Sequence, residues 1–238
     1  MTDKLQLPPT EQIYEKALEV SDEINRQATR ERIVRAVDLA VLHPTATADD
    51  VFRACEIVER DGCASVCVAP AHVAYAKRFT DRVCSVIGFP HGNTFPNVKW
   101  KEATLAMERG ATELDMVINY GQFLAGRSTL VRRELKDIVR TAHKGGVKVK
   151  AILECCYYTP EQIRDACELC CQYEVDWVKT STGFGSSGAS VAAVQAMLDV
   201  CGGRCQVKAS GGITDPLVYL NLGCTRLGMG LKSFEALQ

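Results

Sequence analysis

The sequence predicts an α/β chain folded as a TIM (β/α)8 barrel with an extra N-terminal helix, and three observations carry that expectation. Eight short apolar runs alternate with amphipathic stretches of helical period. The runs are nearly continuous in apolar residues, as strands covered on both faces are, which implies a parallel sheet. No G-x-G-x-x-G follows the first run, so a closed barrel is favoured over an open doubly wound sheet.

The elements follow in order. Ile13, Ala17, Val20 and Ile24 recur at helical spacing and predict an amphipathic helix over about Thr10–Ala28. Residues 1–30 are therefore read as an N-terminal extension and 31–238 as the catalytic barrel. The strand runs are Ala36–Leu42, Ala64–Ala69, Val83–Ile87, Glu113–Asn119, Val147–Glu154, Asp176–Ser181, Gln206–Ser210 and Thr225–Gly228. Between them lie helical stretches Thr47–Arg60, Pro70–Phe79, Asn97–Arg109, Thr129–His143, Pro160–Gln172, Ser190–Val200 and Asp215–Leu222, with a short one after Lys232. Thr47 ahead of Asp49 and Asp50, Thr159 ahead of Pro160 and Glu161, and Thr214-Asp215-Pro216 are helix start signals.

At 238 residues, 47% hydrophobic and 24% charged, the chain can bury one large core. A net charge of −1 without a basic stripe argues against nucleic acid as the main partner. No apolar run approaches a membrane span, and the start Met1-Thr2-Asp3-Lys4 lacks the order of a secretion signal. A cytoplasmic protein without a membrane partner is expected. Of twelve cysteines, Cys63, Cys67, Cys84 and Cys155 lie in or beside strand runs, and Cys167, Cys170 and Cys171 fall on a helix, so they read as small apolar side chains rather than a disulfide framework. Cys167-x-x-Cys170 and Cys201-x-x-x-Cys205 have spacings suited to zinc but no histidine pair nearby, and no structural metal is expected.

The chemistry is read from a duplicated pattern. Trp177-Val178-Lys179-Thr180-Ser181-Thr182-Gly183 and Gln206-Val207-Lys208-Ala209-Ser210-Gly211-Gly212 each run an apolar stretch into a lysine and then into small residues and glycines. A lone lysine at a strand end ordinarily snorkels or pairs with a carboxylate. Two at matching strand ends suggest one pocket in which each ammonium depresses the other's pKa, leaving a nucleophilic amine for Schiff-base chemistry. Asp38, Asp115, Lys150 and Glu154 also interrupt apolar runs, at a solvation cost unless paired. Inside a barrel, Asp38, Asp115, Lys150, Lys179 and Lys208 can form one network, the bland alternative being a structural ion-pair cluster. Lys179 would attack a carbonyl, the iminium would stabilise a carbanion, and Asp115, with Lys150, would move the protons. The expected reaction class is reversible carbon–carbon bond cleavage.

Lys179-Thr180-Ser181-Thr182-Gly183-Phe184-Gly185, Lys208-Ala209-Ser210-Gly211-Gly212-Ile213, Glu113-Leu114-Asp115-Met116-Val117-Ile118-Asn119 and Ile87-Gly88-Phe89-Pro90 resemble motifs of the deoxyribose-phosphate aldolase family. The likeness runs from about Val37 to Gly228 and includes His43-Pro44-Thr45-Ala46-Thr47 and Ile152-Leu153-Glu154-Cys155. The resemblance implies a class I lyase that cleaves 2-deoxy-D-ribose 5-phosphate to acetaldehyde and glyceraldehyde 3-phosphate without metal or organic cofactor, in nucleoside catabolism. It implies Lys179 as the Schiff-base lysine, Lys208 as its perturbing neighbour, Asp115 as the acid/base, Lys150 and Asp38 as supports, and Cys67 beside the pocket. Thr180, Gly183, Gly211, Gly212, Gly228 and Gly230 are the expected substrate contacts, the glycine N–H groups cradling the anion.

The chain departs from the family where phosphate is expected. Thr214-Asp215 stands in place of a basic residue, and Arg226-Leu227-Gly228-Met229-Gly230-Leu231 in place of a serine pair; Lys232 or Ser233 would compensate. Leu39-Ala40 replaces a His-Thr pair, and His91 and Asn93 are loop candidates for substrate contact. A same-mechanism aldolase for a different or non-phosphorylated hydroxyaldehyde is the runner-up. A barrel sugar-phosphate isomerase or epimerase, and a silent barrel that serves assembly, are the other readings. A homodimer and an assembly contact through the N-terminal helix complete the partner expectations.

Overall fold

A computed structural model of the chain describes residues 24–237. Eight strands close into one barrel in sequence order: β1 (Val37–Val41), β2 (Ser65–Val68), β3 (Val83–Ile87), β4 (Glu113–Val117), β5 (Lys148–Ile152), β6 (Trp177–Lys179), β7 (Gln206–Ser210) and β8 (Arg226–Gly230). Every neighbouring pair is parallel, and β8 returns to pair with β1 through Val37 opposite Leu227 and Asp38 opposite Gly228. The helix α1 covers residues 24–36 and runs directly into β1, with Ile33, Val34 and Ala36 buried in the barrel core. The helix expected over 10–28 lies largely outside the described residues, as does most of the 1–30 extension.

The outer ring is α2 (Ala48–Asp61), α3 (Val73–Ala76), α4 (Pro96–Glu108), α5 (Tyr120–Leu124), α6 (Ser128–Lys144), α7 (Pro160–Gln172), α8 (Val191–Cys201), α9 (Pro216–Leu222) and α10 (Leu231–Glu235). Thr47 and Thr159 close full capping boxes with Asp50 and Gln162, and Ser190 caps α8 through the Ala193 N–H. The single helix expected over Pro70–Phe79 is instead a 3-10 turn (Pro70–His72) followed by one turn of α-helix. Asn119, read as the end of a strand, leaves it to cap α5, its Oδ1 accepting from the Gln122 N–H at 3.1 Å. No helix among the described residues is long and apolar enough to cross a membrane.

Period two decides what each strand buries. One set, including Val37, Leu39, Val66, Leu114, Val149, Val178, Val207 and Leu227, packs outward under the helices in the main core. The alternate set points to the barrel axis and carries the charges.

One further buried ion pair braces the outer layer. Lys99 on α4 and Glu134 on α6 have fully buried side chains and meet at 2.7 Å. Lys99 Nζ also donates to the Val117 carbonyl at 2.7 Å, while Glu134 Oε1 accepts from the Asn119 N–H at 2.7 Å and Glu102 accepts from the Gly88 N–H at 2.6 Å. Two helices thus hold the ends of β3 and β4. Gly88 sits at φ 62, and a Cβ there would lie 2.8 Å from Lys99 Cε. Burial pushes the Lys99 ammonium down and the Glu134 carboxyl up, each opposed by the other. Lys99→Met, which strands the carboxylate, is expected to cost roughly 3–5 kcal/mol in urea unfolding, and adding Glu134→Leu is expected to recover most of it. A single variant as stable as the parent would refute the brace.

Candidate active site

The C-terminal ends of the strands open into a cavity of about 620 Å³, and Lys179 and Lys208 line it. Both lysines reach it because β6 and β7 pair with Lys179 opposite Lys208. Their amines share one acceptor: Asp115 Oδ2 lies 2.8 Å from Lys179 Nζ and 2.8 Å from Lys208 Nζ. The other oxygen, Asp115 Oδ1, takes Lys150 Nζ at 2.8 Å and the Cys84 thiol at 3.1 Å. Asp38 accepts from Lys208, from Arg226 at 2.6 Å and from the Ser65 hydroxyl at 2.8 Å. Side chains of β1, β4, β5 and β7 can touch only inside the barrel, so Asp38, Asp115, Lys150, Lys179 and Lys208 form one axial network.

Two members of this network lie outside the expected set. Glu113 accepts from Lys150 and from Arg226, the latter at 2.8 Å, and closes the network below. The Arg226 guanidinium also stacks 4.9 Å from the centre of the Trp177 ring. Glu113 and Arg226 open their strands two residues before Asp115 and Gly228, so strand period is the sequence signal that identifies them. With them the interior brings together, among the described residues, four basic side chains, Lys150, Lys179, Lys208 and Arg226, and three acidic ones, Asp38, Asp115 and Glu113. Lys179 sits on the cavity side with a single ion pair, to Asp115, among the described residues.

The electrostatics correct one expectation. Burial alone would lower the Lys208 ammonium, but Asp115 and Asp38 outweigh it and hold its pKa above the ordinary value. Lys150 is likewise driven well above it by Asp115 and Asp38 against burial. Burial would raise Asp115, yet Lys150, Lys179 and Lys208 keep it well below the carboxylate range, so it is an anion. Mutual repulsion between lysines is thus overridden at Lys208 by the carboxylates it touches. Cys67 also lines the cavity, its thiol pulled down by a hydrogen bond with Cys84 against burial. Cys67, Cys84 and Asp115 bring three ligand atoms within 4.8 Å, but three ammonium groups surround that carboxylate and oppose a further cation.

Of the expected substrate contacts, Gly183, Gly211, Gly212, Gly228 and Gly230 line the cavity and Thr180 does not. Thr180 is fully buried, its hydroxyl donating to the Ser210 carbonyl at 3.1 Å and accepting from the Ser210 N–H at 3.0 Å, so it ties β6 to β7. Gly228 keeps space open: a Cβ there would stand 2.6 Å from Ser210 Cβ and 3.3 Å from Lys208 Cε. His91 and Asn93 are exposed and absent from the cavity wall. Asp215, expected to face a phosphate, caps α9 by accepting from the Leu217 N–H at 3.1 Å and is likewise absent from the wall. Lys232 and Ser233 stand at the rim beside Gly230.

Glu154 shapes the roof. It sits at φ 61, which ends β5, and its buried carboxylate accepts the Thr182 N–H at 3.3 Å as well as the Thr182 hydroxyl. Burial raises its pKa against the Thr182 hydrogen bonds. The loop it grips carries Gly183 and Phe184 into the cavity wall, with the Phe184 ring edge-on to Phe89 at 5.3 Å. A charged residue at a strand end marks Glu154 in the sequence, but only the positive φ shows that it turns back onto the next loop.

With this geometry in view, the chain can be set beside known proteins. Residues 32–220 match the model of the DeoC/LacD family aldolases. The deoxyribose-phosphate aldolase of Thermococcus gammatolerans is 42% identical over 205 residues, covering 82% of this chain and 91% of that one. That of Carboxydothermus hydrogenoformans is 44% identical over 207 residues, covering 83% and 90%. Among solved structures, the tetrameric deoxyribose phosphate aldolase of Aeropyrum pernix superposes with a TM-score of 0.80 at 28% identity, covering 97% of this chain and all of that one. An aldolase named QR15 gives 0.80 at 35% identity over 85% of this chain and 92% of its own. A family match across most of the barrel and relatives above 40% identity lead to one conclusion: this chain belongs to the DeoC/LacD aldolase family.

Proposed function

We propose that the chain is a class I lyase that cleaves 2-deoxy-D-ribose 5-phosphate to acetaldehyde and glyceraldehyde 3-phosphate through an imine on Lys179. The observation that carries this reading is the pair of lysine amines sharing Asp115 Oδ2 at the cavity floor. The Lys179 amine, on the cavity side, attacks C1 of the open-chain aldehyde. The carbonyl oxygen takes up protons and leaves as water, giving an iminium. The C3 hydroxyl then loses its proton, the C2–C3 bond breaks, and its electron pair moves into the iminium to form an enamine. Glyceraldehyde 3-phosphate departs, C2 of the enamine is protonated, and water releases acetaldehyde and the lysine.

Asp115 is the acid/base of these transfers. It does not line the cavity and stays an anion, so it works through Lys208, whose ammonium touches both Asp115 and the cavity and passes protons to and from the substrate. Lys150 and Asp38 hold Asp115 and Lys208 in place from below. Nothing in these steps calls for a metal or organic cofactor.

For the phosphate, the reading assigns the backbone of Gly211, Gly212 and Gly230, with Lys232 and Ser233 at the rim. Gly211 and Gly212 lie at φ 84 and 64 and line the cavity, and a Cβ at Gly212 would meet no atom within 4 Å. The substitution of a basic residue by Thr214-Asp215 favours a second reading, a non-phosphorylated hydroxyaldehyde substrate, which the same assay separates. A cytoplasmic role in deoxynucleoside breakdown follows from the first.

Acetaldehyde release measured with 2-deoxyribose 5-phosphate and with 2-deoxyribose is expected to favour the phosphate strongly; equal or reversed rates would overturn the phosphate assignment. Lys179→Ala is expected to abolish release from both, and release that persists would sink the imine. Asp115→Asn is expected to lower kcat by about 10²–10⁴, the span of general acid–base catalysis, and a kcat within a few fold of the parent would remove Asp115 from that role. Lys232→Gln is expected to raise KM for the phosphorylated substrate while leaving 2-deoxyribose turnover unchanged. An unchanged KM would remove Lys232 from the phosphate site.

A further inference from the structure

Four cysteines from three stretches of chain converge at the end of the barrel opposite the cavity. Cys167 and Cys171 lie one turn apart near the C-terminus of α7, Cys201 is the last residue of α8, and Cys205 stands immediately before β7. Four residues is a helical spacing that stacks two side chains on one face, so α7 offers Cys167 with Cys171. Between Cys201 and Cys205 the chain doubles back. Gly202 and Gly203 take left-handed φ values of 44 and 84, and the Arg204 N–H donates to the Cys201 carbonyl at 2.7 Å. That turn, open to glycine alone without strain, brings both sulfurs to the same side.

The sulfurs of Cys171, Cys201 and Cys205 lie within 4.8 Å of one another, with Cys171 and Cys205 in contact at 2.8 Å. The Cys167 thiol is within hydrogen-bond reach of Cys201. A tetrahedral zinc with Zn–S bonds of about 2.3 Å holds its sulfurs roughly 3.8 Å apart; Cys171, Cys201 and Cys205 meet within the 4.8 Å limit, whereas Cys167 lies outside that group and reaches the ion by turning its side chain in beside Cys201. All four residues are buried, Cys171 and Cys205 at 8% and 7% exposure and Cys167 and Cys201 at 0% and 1%. We propose that Cys167, Cys171, Cys201 and Cys205 form a closed tetrathiolate site for zinc that ties α7 and α8 to the root of β7.

The surroundings suit that ligand set. Four thiolates and one Zn²⁺ leave a charge of −2, and the Arg204 guanidinium stands beside Cys171 and Cys205 while also paired with Glu168 at 2.6 Å. On binding, each thiol that ligates gives its proton to solvent as its S–Zn bond forms, and no electrons are transferred. With four protein ligands and no open position, the site is structural. β7 carries Lys208 three residues beyond Cys205, so the ion anchors the strand that positions that lysine.

The test is an anaerobic titration of the reduced, metal-free full chain with Co²⁺ alone. The expected result is uptake of one Co²⁺ per chain with the intense visible bands and thiolate charge-transfer absorption of a tetrahedral sulfur site, bleached by added Zn²⁺. Cys171→Ser and Cys205→Ser are expected to lose that spectrum, while Cys170→Ala, which changes a neighbouring buried thiol outside the cluster, retains it. The wild-type titration needs no variant to fold. A folded wild-type chain that develops no such bands, or bands that survive in the Cys171→Ser and Cys205→Ser proteins, would overturn the proposal. So would a Cys171–Cys205 disulfide in the purified protein that takes up no metal once reduced.

Discussion

The carboxylate of Asp115 is the interaction on which the interior of this barrel depends. Three buried lysines end on its two oxygens. An unpaired ammonium there would cost several kcal/mol, and the attraction of the carboxylate, together with Asp38 and Glu113, offsets that cost. Among the described residues the cluster sets four basic side chains against three acidic ones. In the proposed chemistry the amine of Lys179, which faces the cavity, is the nucleophile. A single arrangement thereby allows the lysines to be buried and leaves one of them able to react.

The two ends of the barrel divide the remaining work. At the mouth, Glu154 turns back at positive φ to hold Thr182, and Lys99 with Glu134 fixes the ends of β3 and β4, so the loops around the cavity are held by buried polar contacts. At the root, Arg226 and Glu113 close the charge network beneath the lysines, and the cysteines gather where α7, α8 and β7 meet.

Most of the frame was legible in the sequence because a parallel barrel writes each strand as an apolar run. All eight strands lie where those runs are, and the lysines stood out because their pattern occurs twice. What was not legible depends on contacts between segments. Asn119 looks like one more strand residue until its side chain is seen capping α5. Lys208 looks set to be depressed by its neighbour until Asp38 and Asp115 are seen against it. Thr180 belongs to the motif but faces Ser210 and not the cavity. Cys167 pairs in sequence with Cys170 by spacing, whereas the helix pairs it with Cys171 and the fold brings both to Cys201 and Cys205.

The central claim is that one lysine of this cluster reacts and the others serve it. Borohydride reduction in the presence of acetaldehyde, followed by peptide mapping by mass spectrometry, tests it most directly. The account predicts a reduced two-carbon adduct on Lys179 alone. An adduct on Lys208 or Lys150, or no adduct on any of the three, would contradict it.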